Sequence, residues 1–231
     1  ITLENIKMVK DPKSYTDNTS DYSRIGYIQG QLHFLNSEMS ENVSNLRYPS
    51  EVFIDNSKMK GVTGDLKHIE IKNSEFAGLA GNSADYVFVE NTVGDISLYN
   101  AGFAHLVNNR LDYAEINGPK NVLFENCQTP SYYSIDNAQN LMIRNCMIDK
   151  WVMNKAQVGN LTWCDVTFHS PGPSNRVESS VWDQLWDKAN IRELDLYNVQ
   201  ISGDYPTAKD ITIGIINKDE STLLPASFQQ G

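Results

Sequence analysis

Apolar and polar residues alternate in short segments that recur along the chain. The clearest segments are 69–76, 122–127 and 141–148, which read IEIKNSEF, VLFENC and LMIRNCMI. Each one places two alternating apolar residues before an asparagine. Alternation with a period of two is typical of a β-strand with one buried face, so the apolar residues are predicted to point inward. Asparagine tolerates the left-handed backbone conformation and is predicted to form a sharp corner after the strand.

Eleven units of this kind align on the asparagine or an equivalent residue. The aligned positions are Asn5, Asn36, Asn56, Asn73, Asn91, Asn108, Asn126, Asn145, Asp165, Asn198 and, less regularly, Asn217. Most of the steps between them are 17 to 20 residues long, and two steps of 31 and 33 residues indicate insertions. Stacked coils would bring these side chains into one column, where amides can bond to one another.

A further strand recurs between successive asparagine corners. Its inward pairs are Ile96 and Leu98, Ala114 and Ile116, Tyr133 and Ile135, and Trp151 and Met153. A coil of this length is too short for a βαβ unit of about 30 residues. A β-sandwich gives no reason to keep an asparagine at one phase of a repeat. The predicted fold is therefore all-β: a single-stranded right-handed parallel β-helix of about ten to eleven coils, with an asparagine ladder and two insertions.

The predicted β-helix covers residues 1–217, with insertions at 9–25 and 169–190, and residues 218–231 form a C-terminal tail or cap. Within the second insertion, the spacing of Trp182, Leu185, Trp186 and Ala189 predicts one apolar face of a helix packed on the solenoid flank. The first repeat begins at Ile1 with no polar cap before it. Because the open end of a solenoid needs a cap, the chain is expected to be a fragment.

Charge and composition exclude several classes of function. The formal net charge of −10 argues against nucleic acid as a partner, because phosphate binding needs basic stripes. No apolar run is long enough to span a membrane. The histidine and cysteine spacings match no metal site, so no metal or cofactor is predicted.

The three cysteines are assigned by their place in the repeat. Cys127 and Cys146 follow ladder asparagines and are predicted to stack inside neighbouring coils as small buried residues, with a disulfide as the alternative. Cys164 is predicted to point outward as a lone thiol.

The repeat resembles the right-handed parallel β-helix superfamily of pectate lyases, polygalacturonases, phage tailspikes and related surface proteins. That resemblance implies a polysaccharide ligand and a secreted, cell-surface or virion location. The Asp pair, Gly-His-Gly and Arg-x-Lys groups of the polygalacturonases are absent from the sequence, so no catalytic residue is carried over. A weaker resemblance to pentapeptide-repeat solenoids rests on inward residues every five positions, from Ile143 and Ile148 to Trp163 and Phe168.

The outward face of the third strand carries the candidate site. Tyrosine rings beside polar groups suit an extended sugar-binding groove, since rings stack on sugars while polar groups bond hydroxyls. The candidate ligand-binding residues are Asp95, Tyr99, Tyr113, Asn117 and Tyr132. In an enzyme, Glu115 and Asp136 would serve as paired carboxyl groups beside Lys150. The alternative is an ordinary solvated face with β-forming tyrosines.

A partly apolar outward stripe is the second candidate surface. It consists of Phe53, Phe88, Leu123 and Met142, three residues before their asparagines. Such a stripe is expected to be covered by residues 180–190, by a protein partner or by a homotrimer seam.

Three functions follow from these features. The first is a glycan-binding β-helix domain of a larger secreted, surface or phage protein. The alternatives are a polysaccharide lyase or glycoside hydrolase, and a protein-interaction scaffold such as an effector solenoid.

Overall fold

The computed structural model describes residues 1–8, 30–129, 132–148, 153–154, 157–168, 185–187, 189–201, 207–209 and 211–222. Every regular element within these ranges is a β-strand. The strands are β1 (Thr2–Glu4), β2 (Lys7–Met8), β3 (Gly30–Leu35), β4 (Glu38–Asp55), β5 (Lys58–Lys72), β6 (Glu75–Asn82), β7 (Tyr86–Glu90), β8 (Val93–Tyr99), β9 (Phe103–Val107), β10 (Arg110–Asn117), β11 (Asn121–Glu125), β12 (Gln128–Thr129), β13 (Tyr132–Asp136), β14 (Asn140–Arg144), β15 (Met147–Ile148), β16 (Met153–Asn154), β17 (Gln157–Cys164), β18 (Thr167–Phe168), β19 (Leu185–Asp187), β20 (Asn190–Tyr197), β21 (Gln200–Ile201), β22 (Thr207–Lys209) and β23 (Thr212–Lys218).

The strands stack in three columns, and every pairing is parallel. The first column precedes the corner asparagine and follows the order β1, β3, the ends of β4 and β5, β7, β9, β11, β14, β17, β20 and β23. A second column of short segments follows the corner, and a third completes the coil. The fold is thus an all-β parallel β-solenoid, as the repeat predicts.

About seven consecutive coils are formed, between residues 30 and 154, and the prediction of ten to eleven coils is too high. The prediction counted one coil for every asparagine. Strands before and after these seven coils continue the first column, but their coils contain the long segments 9–29 and 169–184, which lie outside the described residues.

Side chains alternate inward and outward as the sequence pattern predicts. In β11, Val122 and Phe124 are buried while Leu123 and Glu125 are half-exposed. The predicted inward residues of the second and third columns are buried too: Met39, Met59, Phe76, Ile96, Leu98, Leu111, Ala114, Ile116 and Ile148. One continuous apolar core therefore runs through the stack.

Ten of the eleven predicted corner residues have left-handed backbone, with φ between 46° and 55°. Their amides form the predicted ladder between coils. Donor and acceptor pairs are Asn56 to Asn36 (2.8 Å), Asn91 to Asn73 (3.2 Å), Asn126 to Asn108 (3.0 Å), Asn145 to Asn126 (2.6 Å) and Asn198 to Asp165 (2.8 Å). The assignment of Asn217 is wrong, because it lies inside β23 and donates to Asp195 at 2.8 Å.

A second corner, which the repeat analysis missed, follows the third strand. Its left-handed residues are Ser83, Asn100, Gly118 and Asn137, with φ between 54° and 67°. Their spacing of 17 to 19 residues repeats the coil length, so the signal was present in the sequence.

Small polar residues form a buried column directly after the corner asparagines. Its members include Ser37, Ser57, Ser74, Thr92, Asn109, Cys127 and Cys146. The Ser57 hydroxyl donates to Asp55 O (2.8 Å) and accepts from Ser37 N (3.0 Å). Each such side chain satisfies backbone groups that the tight corner leaves without a strand partner.

The predicted helix in the second insertion is wrong over residues 185–187. These form β19, which pairs with β16 and β22 in the third column. Ala189 is buried just before β20. Trp182 lies outside the described residues.

Candidate functional site

The parallel register brings the predicted site residues of successive coils together. Asp95 pairs with Tyr113, and Tyr113 with Tyr132. Tyr99 pairs with Asn117, and Asn117 with Asp136. The candidates therefore share one outward sheet face, called here the third-strand face.

Glu115 is the centre of this face. Its Oε2 accepts a hydrogen bond from the Tyr113 hydroxyl at 2.7 Å. Partial burial, with the charge of Glu115 and a hydrogen bond to it, raises the pKa of Tyr99. Two tyrosines on adjacent strands thus converge on one carboxylate.

The Tyr113 bond fixes the direction of its ring. Residues two apart on a strand are about 6.6 Å apart, so a phenol that reaches Glu115 must extend along its own strand. The ring consequently lies along the sheet surface instead of standing out from it. This position leaves one aromatic face available to a ligand.

Asp95 stands at the near end of the face. Burial and the neighbouring Asp112 carboxylate raise its pKa, against a hydrogen bond from the Tyr113 backbone N–H. Its proton affinity is higher than that of an ordinary surface aspartate, so a donor group on a ligand would find it a strong acceptor.

The remaining predicted residues are described less fully. Tyr132 and Asp136 lie at the expected register positions of β13, but their side chains are outside the described part of the structure. Lys150 lies outside the described residues. Glycoside cleavage needs two carboxyl groups at a defined separation, and Glu115 is the only one of the two predicted groups whose side chain is described.

Sequence reasoning missed a file of aromatic rings on the outward side of the first column. The rings of His33, Phe53, His68, Tyr86 and Phe103 follow one another with centroids 4.5 to 5.6 Å apart. Neighbouring rings cover each other's faces at this spacing, so mainly their edges reach solvent. The file stabilises the stack and leaves few faces for sugar binding. The signal was the spacing of these residues at one coil.

This file changes the interpretation of the apolar stripe. Phe53 stacks between His33 and His68, and Phe88 packs edge-on to His105 with the Lys72 ammonium 5.4 Å from its ring centre. Their neighbours in the column therefore cover them in part. Met142 remains 43% exposed. Cover by residues 180–190, a protein partner or a homotrimer stays a prediction for this end of the stripe.

Two histidines of the first column face glutamates. His68 Nε2 is 3.6 Å from Glu70, and His105 Nε2 is 3.7 Å from Glu125. Lys72 holds the pKa of Glu70 below its ordinary value, and Arg144 does the same for Glu125. Among the described residues, no group of three or more His, Cys, Asp or Glu side chains is arranged to hold a metal ion.

The cysteines are free thiols. Cys127 and Cys146 are buried on adjacent coils, as predicted, and Cys164 is partly exposed. The Cys127 backbone N–H donates to Cys146 Sγ at 3.3 Å. A hydrogen bond with Cys127 and burial raise the pKa of Cys146, so this thiol stays neutral and unreactive.

Comparisons of the chain with protein-family models, with curated proteins and with solved structures gave no match. Within the described ranges, no helix is long and apolar enough to cross a membrane. The argument for function therefore rests on the surface chemistry of the solenoid.

Proposed function

We propose that this chain is a glycan-binding β-solenoid domain whose ligand lies across the third-strand face. The observation that supports it is the convergence of Tyr99 and Tyr113 on the Glu115 carboxylate. Aromatic faces stack on the C–H faces of sugar rings, and a fixed carboxylate accepts hydrogen bonds from hydroxyl groups. The two requirements of sugar recognition thus occur together.

The ligand has a largely neutral backbone under this proposal. A polymer with a negative charge on every sugar would be repelled by a chain of net charge −10. A polysaccharide ligand is consistent with membership of the right-handed parallel β-helix superfamily and with a secreted, cell-surface or virion location, which we propose with it.

A glycan array tests the proposal. The Tyr99→Ala/Tyr113→Ala variant should bind its best neutral glycans at least about tenfold more weakly, since two stacking rings contribute roughly 1–3 kcal/mol together. The matched control is Tyr197→Ala, which removes a tyrosine 45% exposed on the first-column side. It should bind as the parent chain does.

Equal signals for the parent chain and the double variant would refute binding at this face. The absence of any glycan signal would favour a protein-interaction scaffold. Far-UV circular dichroism of each variant checks that the solenoid remains folded.

A further inference from the structure

A polar cavity of about 550 Å³ lies where third strands end and first-column strands begin. Its polar lining consists of Asn137, Gln139, Asn140, Gln157, Asn190 and Arg192. All lining residues belong to the described part of the chain, and none of them is Asp or Glu. In a protein with 29 acidic residues, this lining makes the cavity a local site without negative side chains.

The amide oxygens of this cavity are already engaged. Asn137 Oδ1 accepts from the Gln157 backbone N–H at 3.2 Å, and Asn140 Oδ1 accepts from Asn160 Nδ2 at 2.8 Å. Asn140 Nδ2 donates one hydrogen to Asn121 Oδ1 at 2.7 Å. Because each amide nitrogen carries two hydrogens, one N–H donor of Asn140 is left over. The cavity consequently offers more donors than acceptors.

Arg192 adds a positive charge to these donors. Its Nη2 donates to Asn160 Oδ1 at 2.7 Å, which orients the guanidinium and uses one of its five N–H groups. The adjacent Glu193 accepts a hydrogen bond from Asn217 at 3.3 Å. A planar guanidinium with free N–H groups binds a carboxylate through two parallel hydrogen bonds.

The cavity is continuous with the third-strand face. Asn137 Nδ2 donates to Asn117 Oδ1 at 3.4 Å, and Asn117 belongs to that face. A chain bound along Tyr113 and Tyr99 would therefore reach the cavity at the corner.

We propose that this cavity binds the carboxylate of an acidic sugar within the glycan. The inference rests on the proposed function and narrows its ligand to a mostly neutral chain with a carboxylate-bearing sugar at the corner. Arg192 and the spare amide donors bind the carboxylate, while the tyrosines bind neighbouring neutral sugars.

Matched oligosaccharides test this inference. Each uronic-acid-containing oligosaccharide is compared with its carboxyl-reduced, neutral counterpart by titration calorimetry. The parent chain should bind the acidic form about tenfold more tightly, which is the strength expected of a charge-assisted hydrogen-bonded pair. Arg192→Gln should reduce the ratio to about one and leave affinity for the neutral form unchanged.

The control variant is Arg144→Gln, which removes the same charge from an exposed arginine beside Glu125 on the first column. It should keep the preference for the acidic form. Equal affinity of the parent chain for both forms, or a preference that survives Arg192→Gln, would overturn the inference while glycan binding stands. If neither form binds and the neutral array is also blank, the proposed function fails and the inference fails with it.

Discussion

At the scale of single residues, the position after each corner asparagine has a defined hydrogen-bonding task. Thr92 N accepts the help of Asn109, whose Oδ1 lies 2.9 Å away, and Cys127 N donates to Cys146 Sγ. The side chain also returns a bond to a carbonyl two residues earlier, as Cys146 Sγ does with Arg144 O at 3.1 Å. Cysteine here takes the place that serine holds in earlier coils.

This arrangement gives an order of stabilities that simple burial would not. Cys146→Ser should lower the free energy of unfolding by no more than about 1 kcal/mol, because the hydroxyl can make both bonds. Cys146→Val should cost about 1–3 kcal/mol, because the buried N–H of Cys127 loses its acceptor. Urea denaturation of both variants measures the difference. A valine variant more stable than the serine variant would show that Cys146 only fills apolar space.

At the scale of elements, the period of two predicted the strands and the corners well, because one buried face repeats in every coil. The helix expected near Leu185 was wrong because apolar residues spaced three and four apart over a short segment do not distinguish a helix from a strand. Trp186 instead pairs with Met153 in the stack, where neighbouring strands supply its backbone hydrogen bonds. Such pairing with a distant segment is not encoded in local spacing.

Glycine at 94 shows how adjacent coils share inward space. It lies at the second-column position that Phe76 and Leu111 occupy in the coils on either side. A Cβ on Gly94 would lie 2.2 Å from Phe76 O and 2.8 Å from the Phe76 ring. Phe76 therefore fills the space that a larger residue at 94 would need.

Gly94→Ala should consequently lower the free energy of unfolding by about 1–3 kcal/mol, the usual cost of overpacking. The matched control is Gly78→Ala in β6, where an added Cβ meets no heavy atom within 4 Å. That change should stay within about 0.5 kcal/mol of the parent chain. Chemical denaturation compares the two, and equal effects would contradict the tight packing at Gly94.

At the scale of the whole molecule, the candidate site is predictable only in part. The third-strand face followed from the repeat, since register alone places Tyr113 above Asp95. The corner cavity did not, because it depends on amide orientation and on Arg192 reaching Asn160, which no spacing reveals. The ring file was visible at coil spacing but required the register of Phe53 and His68 to be recognised.

Because each coil contacts only its neighbours, one coil should be removable without loss of the fold. Deleting Leu106–Leu123 removes 18 residues and brings Phe124 to the place of Leu106, its partner in the parallel register. This shortened chain should keep strand-rich circular dichroism and a cooperative urea transition. Glycan binding should be lost, because Tyr113 and Glu115 are removed.

Deleting Leu106–Val122 instead removes 17 residues and is the matched control. Leu123 then takes the place of Leu106, and the buried Phe124 falls on an outward position while Glu125 moves toward the corner. A shift of one residue reverses the faces of a strand, so this variant should be less stable than the longer deletion. Equal unfolding midpoints for the two deletions would mean that the coils are not interchangeable units held by inward and outward alternation.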